Sequence, residues 1–312
     1  MARVTLRQLE YFVAAAETGS VTAAAARVLL SQSAVSTALA ELEDGLGVQL
    51  FLRHARGLTL TSVGHSILRS ARQLLAQADD LERSAEEHNT ALSGRLTVGC
   101  YSTLAPHLLP PVLDAFLTSN PAVDLNFVVG SHASLRSKLL DGTCDVALLY
   151  DYDFAPGLLA GDVRKIPLQS IPPYVLLPRD HELARQESIP LRRLVDEPLI
   201  LFDLPPGGEY FRSFFTLHGL TPTIRFRTTE FELVRALVAR GLGYSILNQP
   251  TDIDVSYEGL PLATRPLAGE WHGLPVVAVH LAGSHLTRRA TAFIGQCRKI
   301  LGADAHTAAV EV

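Results

Sequence analysis

Residues 31–43 read Ser-Gln-Ser-Ala-Val-Ser-Thr-Ala-Leu-Ala-Glu-Leu-Glu, the pattern of a short amphipathic helix. Its apolar face carries Val35, Leu39 and Leu42 at helical spacing. Ser31 is the predicted N-cap, and the polar residues that follow it are Gln32, Ser33, Ser36 and Thr37. A recognition helix needs such hydrogen-bonding groups at its N-terminus, although by itself the pattern also suits any amphipathic surface helix.

The residues before this stretch predict two further helices. Apolar side chains recur at helical spacing from Leu6 to Ala16, and Gly19 ends that segment. Ser20 is placed to cap a second short helix over 21–28, and residues 29–31 then form a short turn. Two short helices joined by such a turn have the spacing of a helix-turn-helix.

The residues after the stretch predict a β-hairpin with a basic turn. Residues 48–51 and 58–61 have strand character and flank the turn 53–57, Arg-His-Ala-Arg-Gly. Arg53 and Arg56 would lie where a DNA phosphate or a minor groove passes. Such a hairpin is a weak signal alone, but behind these helices it predicts a winged helix-turn-helix that binds DNA.

This N-terminal pattern resembles the winged helix-turn-helix of the LysR-type transcriptional regulators. The resemblance is detailed over residues 3–66 and continues to about residue 302. The matching residues are Leu6-Arg7-Gln8-Leu9, Gly19-Ser20-Val21-Thr22-Ala23-Ala24-Ala25, Ser31-Gln32-Ser33-Ala34-Val35-Ser36, Leu42-Glu43, Leu46-Gly47-Val48-Gln49-Leu50-Phe51-Leu52-Arg53 and Leu60-Thr61. The resemblance implies a DNA-binding surface made of Thr22, Gln32, Ser33, Ser36, Thr37, Arg53 and Arg56.

The chain departs from this family after the recognition-helix serine, where many members have arginine and glutamine and this chain has Thr37 and Ala38. The loss of a long donor leaves more of the base readout to Gln32, Ser33 and Ser36. The operator sequence therefore cannot be taken from a relative.

Charge over residues 1–65 is balanced, with five arginines and five carboxylates. A general polyelectrolyte binder would be strongly basic. Here the positive charge is local, chiefly on the wing. We therefore expect modest affinity from each winged domain and useful affinity from several domains acting together.

Composition predicts a cytoplasmic chain of two or three folding units. Its 312 residues are too many for one small DNA-binding domain. The sequence has no apolar run approaching the roughly 18 residues of a membrane span, and its start lacks the pattern of a signal peptide. Cys100, Cys144 and Cys297 are odd in number and far apart, which favours reduced thiols in a cytosol.

Residues 62–91 predict one long linker helix, since they contain no proline and no glycine after Gly64. Its apolar stripe consists of Ile67, Leu68, Ala71, Leu74, Leu75, Ala78 and Leu81. Such a stripe needs a partner, and we expect a second copy of the chain rather than the C-terminal domain of the same chain. In the resembled family this helix pairs antiparallel with its copy, and tetramers are common. A two-fold dimer implies a pseudo-palindromic operator.

From Gly94 onward strands alternate with helices, which predicts an α/β fold. Residues 139–148 and 237–246 both run from a helix through glycine into an apolar strand, which indicates two similar subdomains. They resemble the periplasmic-binding-protein-like effector domain of the same family. The predicted boundaries are 1–61 for the winged domain, 62–91 for the linker helix, 92–302 for the effector domain (subdomain I at 92–163 and 268–302, subdomain II at 164–267) and 303–312 for a tail.

A ligand of such a fold lies in the cleft between the subdomains, at the carboxyl ends of strands. The candidate residues at those ends are Tyr101, Ser102, Thr103, Ser131, Tyr210, Glu230 and Phe231. By resemblance, Thr103, Ser131, Tyr210 and Glu230 align with positions that line the cleft in family members. Ser131 and Glu230 could equally well cap the helix that follows each of them.

The candidate residues predict an uncharged or mixed effector. No obvious arginine stands at these strand ends, although Arg235 lies one turn beyond Phe231. Tyr101, Tyr210 and Phe231 could stack on an aromatic ring, and Glu230 could accept from an N–H. We therefore expect a small aromatic or amide-bearing metabolite.

The sequence lacks Gly-x-Ser-x-Gly, a phosphate-binding glycine-rich loop and metal-ligand spacing. We therefore predict no enzyme, no catalytic residue, no metal site and no cofactor. The expected partners are a double-stranded DNA operator, a small-molecule effector and further copies of the chain, with RNA polymerase as a further candidate and no membrane. The alternative is a small-molecule solute-binding protein without a DNA-binding role.

Overall fold

The chain begins with the three predicted helices. A computed structural model describes residues 4–54, 57–85, 91–152, 161–249, 253–282 and 284–307. The first helices are α1 (Leu6–Thr18), α2 (Val21–Arg27) and α3 (Gln32–Leu46). Both predicted caps are present, because the Ser20 hydroxyl accepts from the Ala23 N–H and the Ser31 hydroxyl accepts from the Ala34 N–H.

The apolar faces of these helices form one core. Val35, Leu39 and Leu42 are all buried, as their spacing predicts. The Phe12 ring packs edge-on against Phe51, with the ring centroids 5.4 Å apart. The core therefore holds α3 by its apolar side and leaves its polar side at the surface.

The wing follows as β1 (Phe51–His54) and β2 (Gly57–Leu60), which pair antiparallel. The Glu43 carboxylate accepts from the backbone N–H groups of Leu50 and Phe51, at 2.6 and 3.1 Å, and so ties the wing to α3. A Cβ at Gly57 would lie 2.3 Å from the carbonyl oxygen of Gly19, so this close approach of the wing to α1 requires glycine.

The linker helix is α4 (Ser62–Ala85). Leu68 and Ala71 of its stripe are buried in the core of the winged domain, a partner that the sequence prediction did not include. Leu74, by contrast, is 49% exposed. The predicted continuation of the helix falls on residues 86–90, which lie outside the described residues, as does the side chain of Leu81. No helix in the described part of the chain is both long and apolar enough to cross a membrane.

Subdomain I is built on a five-stranded sheet. Its strands and helices are β3 (Gly94–Tyr101), α5 (Ala105–Ser119), β4 (Val123–Gly130), α6 (His132–Leu140), β5 (Val146–Tyr150), β6 (Val163–Ile171), β12 (Leu274–Leu281) and α9 (Arg288–Thr307). The strand order is β4-β3-β5-β12-β6. β3 runs parallel to β4 and β5, whereas β12 runs antiparallel to β5 and β6.

Subdomain II contains two small sheets. Its elements are β7 (Tyr174–Pro178), β8 (Pro198–Phe202), α7 (Gly207–Leu217), β9 (Thr223–Thr228), α8 (Phe231–Ala239), β10 (Ser245–Leu247) and β11 (Leu262–Pro266), with 3₁₀ turns at 182–185 and 191–194. β7 pairs antiparallel with β10 and β11, and β8 pairs in parallel with β9. A bridge between Leu199 and Tyr244 links the two sheets.

The first crossing between the subdomains lies later than residue 164, where the sequence prediction places it. Residues 163–171 form β6, which pairs with β12 in the sheet of subdomain I. The chain crosses at Pro172 and Pro173, because proline has no N–H with which to continue the ladder. The return crossing lies between Pro266 and Leu274.

The end of the chain also differs from its prediction as a tail from residue 303. α9 continues to Thr307, since Ala303 and Ala305 favour helix. Residues 308–312 lie outside the described residues.

Candidate DNA-binding surface and ligand cleft

Exposed polar side chains at the start of α3 form the candidate DNA-binding surface. Gln32, Ser33 and Thr37 are exposed, and Ser36 is half-buried. The hydroxyl oxygens of Ser31 and Ser33 lie 3.1 Å apart. These groups stand at the positive end of the helix dipole, which favours an approaching phosphate.

Two further predicted residues lie at the surface of neighbouring elements. Thr22 is exposed in the first turn of α2, and Arg53 is exposed on β1 of the wing. Within the described residues Arg53 forms no ion pair, so its guanidinium is available to a phosphate. Arg56 lies outside the described residues.

Aromatic and polar side chains gather at the carboxyl ends of β3 and β5. Tyr101 ends β3, Tyr150 ends β5 and His132 begins α6. The centroid of the Tyr101 ring lies 5.1 Å from that of His132 and 5.7 Å from that of Tyr150. Thr103, on the loop after β3, is also buried. We refer to Tyr101, Thr103, His132 and Tyr150 as the cleft floor.

The polar atoms of the cleft floor are poorly satisfied. Among the described residues, the three hydroxyls and both His132 ring nitrogens make no hydrogen bond of good geometry, although the Tyr101 hydroxyl faces that of Tyr152 and the Thr103 hydroxyl faces that of Tyr150. Burial raises the pKa of Tyr101 and of Tyr150 above the usual range, and the Thr103 hydroxyl only partly opposes this at Tyr150. Burial lowers the pKa of His132 to about 4, so its imidazole is neutral near pH 7.

Buried polar groups in folded proteins are nearly always hydrogen-bonded. A set of buried neutral groups without hydrogen bonds of good geometry therefore marks a place where a bound molecule could supply better bonds. The cleft floor contains both donors and acceptors, and its protonation states leave it without charge near neutral pH.

Subdomain II reaches the cleft floor through Tyr210, which contacts Tyr152 of subdomain I. Tyr152 follows β5, and its ring centroid lies 5.5 Å from that of His132 and 5.5 Å from that of Tyr210 on α7. The Tyr152 hydroxyl would lie 3.3 Å from a Cβ at Gly207, so glycine at the start of α7 allows a close approach of the subdomains. Tyr152 therefore bridges the two walls of the cleft.

Charged side chains that follow β5 and β8, or lie at the start of α8, are paired with other charged side chains. Their closest contacts are Asp151 to Lys165 at 2.6 Å, Asp203 to Arg227 at 3.1 Å and Glu232 to Arg235 at 2.9 Å.

The structure brings only part of the predicted cleft set together. Tyr101 and Thr103 lie in the cleft floor, and Tyr210 reaches it through Tyr152. The remaining predicted residues are Ser102, Ser131, Glu230 and Phe231. Ser102 is half-buried and donates its N–H to the Gly130 carbonyl at 3.1 Å.

Ser131 and Glu230 differ in their local roles. Ser131 caps α6, since its hydroxyl accepts from the Ser134 N–H at 3.3 Å. Glu230 precedes α8 and is exposed, and its side chain makes no capping bond. Phe231 packs against Phe202, with the ring centroids 6.3 Å apart.

The predicted set of contacts omits Tyr150, Tyr152 and Asn248, whereas His132 directly follows the predicted Ser131 and is reached by the same strand-end argument. Tyr150 and Tyr152 directly follow an apolar strand, so the strand-end rule that selected Tyr101 would also have found them. Asn248 follows β10, and its amide donates to the Ile171 carbonyl at 2.8 Å across 77 residues of chain. Only the fold brings Asn248 and Ile171 together.

The architecture itself defines a class of protein. A winged helix-turn-helix is joined through a long helix to a two-lobed α/β fold with a cleft, which is the organisation of a transcription factor that senses a small molecule. Residues 6–65 match the family model described as "Bacterial regulatory helix-turn-helix protein, lysR family", and residues 89–302 match the "LysR substrate binding domain". The chain therefore belongs to the LysR family of transcriptional regulators.

Individual relatives agree with this assignment. The chain is 31% identical over 249 residues to the uncharacterized HTH-type transcriptional regulator YnfL of Escherichia coli (strain K12), which covers 78% of this chain and 82% of that protein. HinK, a LysR family transcriptional regulator from Pseudomonas aeruginosa, is 35% identical with a TM-score of 0.65, over 95% of this chain and 98% of that one. Full-length CbnR complexed with its target DNA is 26% identical with a TM-score of 0.54, over 95% and 99%.

These findings confirm the predicted family and fold class. LysR regulators bind DNA and small-molecule effectors, so this chain is a transcriptional regulator and not an enzyme. The alternative of a solute-binding protein without a DNA-binding role is thereby removed.

Proposed function

We propose that this regulator binds a dyad operator through paired winged domains and senses an uncharged aromatic or amide-bearing metabolite in its cleft. The observation that carries the proposal is the cleft floor, whose buried polar groups are neutral and, among the described residues, make no hydrogen bond of good geometry. An uncharged molecule with donors and acceptors would satisfy them, whereas a carboxylate would lose its water there, and none of the four residues of the cleft floor is a cation.

The proposed DNA contacts are Thr22, Gln32, Ser33, Ser36 and Thr37 from the helices and Arg53 and Arg56 from the wing. The exposed polar start of α3 supports base readout by the helix, and the absence of an ion pair at Arg53 within the described residues supports a phosphate contact. CbnR is a solved example of a relative on its target DNA.

The proposed assembly is a dimer through the linker helix, or a tetramer built from two such dimers. The half-exposed Leu74 supports this, because the neighbouring stripe residues Leu68 and Ala71 are already covered by the winged domain. We further propose that the protein acts in the cytoplasm and that RNA polymerase is a partner at the promoter. Three buried cysteines without a disulfide among the described residues suit that compartment.

Different residues would supply the aromatic contacts and the hydrogen bonds to the proposed cleft ligand. Tyr101 and Tyr210 offer aromatic edges and faces, and Thr103 offers a hydroxyl that can donate or accept. Ser102, Ser131, Glu230 and Phe231 stay as proposed contacts at the rim.

The test is a footprint of the full-length protein on DNA flanking its gene, with three one-ring probes of similar shape. Benzamide is neutral, benzoate is an anion and benzylamine is a cation. We expect protection of a two-fold site, and a change in its length or position with benzamide at concentrations where benzoate has no effect. Calorimetry should give benzamide at least about tenfold tighter binding than benzoate, or about 1.4 kcal/mol.

Either the footprint or the binding measurement can overturn the proposal. Folded oligomer that protects no dyad site at low salt would remove the operator assignment. Tighter binding of benzoate or benzylamine than of benzamide would remove the uncharged effector, and leave the DNA-binding assignment intact.

A further inference from the structure

Arg72 of the linker helix contacts both the winged domain and the effector domain. One guanidinium nitrogen, Nη2, donates to a Glu17 carboxylate oxygen at 2.9 Å, and Glu17 lies near the end of α1. The other nitrogen, Nη1, donates to the Asp141 carbonyl and to the Thr143 hydroxyl, the latter at 3.1 Å. Although the side chain is long and charged, only 15% of it is exposed. We refer to this set of bonds as the Arg72 junction.

Each end of the Arg72 junction is anchored within its own domain. The second Glu17 oxygen pairs with Arg27 of α2 at 2.5 Å, so Glu17 is held against two helices. Burial by itself would raise the pKa of Glu17, but its bonds to Arg72 and Arg27 outweigh that and lower it. The carboxylate is therefore ionised at neutral pH, as the ion pair requires.

The effector end is a tight turn that fits the arginine stem. Gly142 has φ +70°, and a Cβ there would lie 3.1 Å from Arg72 Cδ. The Asp141 side chain accepts from the Thr143 N–H at 2.9 Å, which fixes the shape of the turn. Glycine is thus needed both for the backbone conformation and for the space that the arginine occupies.

This turn stands at the far end of two elements that begin or end in the cleft. α6 runs from His132 in the cleft floor to Leu140 beside the turn, a length of about 13 Å. β5 runs from Val146, just after the turn, to Tyr150 in the cleft floor. A shift of the cleft floor is therefore coupled by one rigid helix and one buried strand to the atoms that hold Arg72.

We propose that the Arg72 junction sets the position of the winged domain relative to the effector domain and passes the state of the cleft to it. This inference rests on the proposed function for its ligand, and Arg72 acts in it as a positioning residue. An effector that favours one position of α6 would strengthen or weaken the bonds at residues 141–143. It would thereby change the spacing of paired winged domains on DNA.

The first experiment measures geometry and needs no effector. Nitroxide labels at Ala40→Cys and Ser137→Cys, both exposed positions, report the distance between α3 and α6 by double electron–electron resonance. Excess unlabelled full-length chain suppresses distances between copies, and the native Cys100, Cys144 and Cys297 are buried. We expect one narrow distance distribution for the parent protein and a broad one for Arg72→Met, which keeps the apolar stem but loses the donors.

The matched control is Arg69→Met on the same helix. Arg69 is half-buried beside the effector domain, but among the described residues it makes neither a hydrogen bond nor an ion pair. The distance distribution of the Arg69→Met protein should remain narrow. Arg72→Lys keeps the charge but cannot span both domains, so we expect it to lie between the parent and Arg72→Met.

The second experiment measures coupling with benzamide as the probe. Arg72→Met should keep operator affinity and benzamide affinity within about threefold of the parent, while the benzamide-dependent change in the footprint is lost. Equal, narrow distance distributions in the parent and Arg72→Met would overturn the inference. A benzamide effect on the footprint that survives in Arg72→Met would also overturn it. Failure of benzamide to bind the parent would count against the proposed effector class, and the distance measurement would still decide the role of Arg72.

Discussion

At the scale of single residues, the cleft floor contains polar groups that lower the stability of the ligand-free protein and would hydrogen-bond a ligand. A buried hydroxyl without a partner costs free energy in the folded state, because it has lost its bonds to water. Tyr101, Thr103 and Tyr150 each carry a buried hydroxyl without a hydrogen bond of good geometry among the described residues; Tyr101 and Tyr150 end central strands, and Thr103 lies on the loop after β3. Residues that destabilise the ligand-free protein in this way are expected at sites kept for a ligand.

Thr103→Val tests whether the Thr103 hydroxyl lowers the stability of the ligand-free protein and binds the ligand. Valine has nearly the same shape and no hydroxyl, so the ligand-free protein should become more stable by about 1 kcal/mol while benzamide binding weakens. Urea unfolding and calorimetry on the same preparation measure the two effects. Thr291→Val, at an exposed position of α9, is the control and should change neither quantity. A Thr103→Val protein that is less stable than its parent would show that the contact of this hydroxyl with Tyr150 stabilises the ligand-free protein.

His132 makes the free energy of unfolding of the protein depend on pH in the acid range. Because burial lowers its pKa from 6.5 to about 4, the unfolded chain takes up this proton below about pH 6.5 and the folded chain only below about pH 4. The stability that the neutral ring supports is therefore complete above pH 6.5 and is lost as the pH falls towards 4. The loss is about 3 kcal/mol at most.

His132→Phe should remove the contribution of His132 to this pH dependence of stability. We expect its free energy of unfolding to fall less than that of the parent between pH 7 and pH 4.5, as measured by urea unfolding at each pH. His272→Gln, at an exposed position, should follow the parent curve. Parallel curves for the parent and His132→Phe would show that His132 stays neutral for another reason or is already solvated.

At the scale of elements, the wing depends on α1 and α3 for its position. Gly57 lies against the carbonyl of Gly19, and Glu43 of α3 holds the start of β1. Arg53 is carried by that strand, so its position relative to Gln32 and Ser33 is set by backbone contacts. On the proposed DNA-binding surface, the wing and the recognition helix would therefore meet DNA as one rigid unit.

Arg53→Ala should weaken operator binding by about tenfold or less. It should also reduce the slope of log affinity against log salt by about one for each chain, because one phosphate contact is lost. Affinity measured at several salt concentrations on the protected fragment gives both numbers. Arg192→Ala, on an exposed turn of subdomain II, should leave them unchanged. An unchanged salt slope in Arg53→Ala would mean that Arg53 does not contact a phosphate.

The secondary structure of the winged domain was predictable from local patterns. Ser20 and Ser31 are caps, and Val35, Leu39 and Leu42 are a buried face, all of which depend on neighbours within a few residues. The bounds that were missed depend on distant residues. The pairing of β6 with β12 joins segments more than a hundred residues apart, and it moves the first crossing from residue 164 to Pro172.

At the scale of the whole molecule, the winged domain covers only part of the stripe of the linker helix. Its first turns pack into the core of the winged domain, while Leu74 is left half-exposed. A sequence stripe cannot show this division, because every position in it has the same spacing. The exposed part is the surface that we propose for the dimer.

Leu74→Glu should weaken the dimer without unfolding the winged domain. A charge at a buried interface position lacks a partner, and its desolvation should shift the dimer to monomer at micromolar concentration. Sedimentation velocity gives the assembly state and circular dichroism gives the fold. Leu217→Glu, at an 80% exposed position on α7, is the control and should sediment as the parent does. Unchanged sedimentation of Leu74→Glu would place the dimer interface elsewhere.

The sequence by itself determined the family, the winged helix-turn-helix, the α/β character of the sensor and three of the side chains that meet around the cleft, Tyr101, Thr103 and Tyr210. All of these follow from local spacing, capping and strand-end position. Only the tertiary structure decided that Tyr152 links Tyr210 to His132, that Asn248 meets Ile171, and that Arg72 connects Glu17 with Thr143. The physical reason is that burial and hydrogen bonding between segments far apart in the chain depend on how the sheets and helices pack, which no local pattern contains.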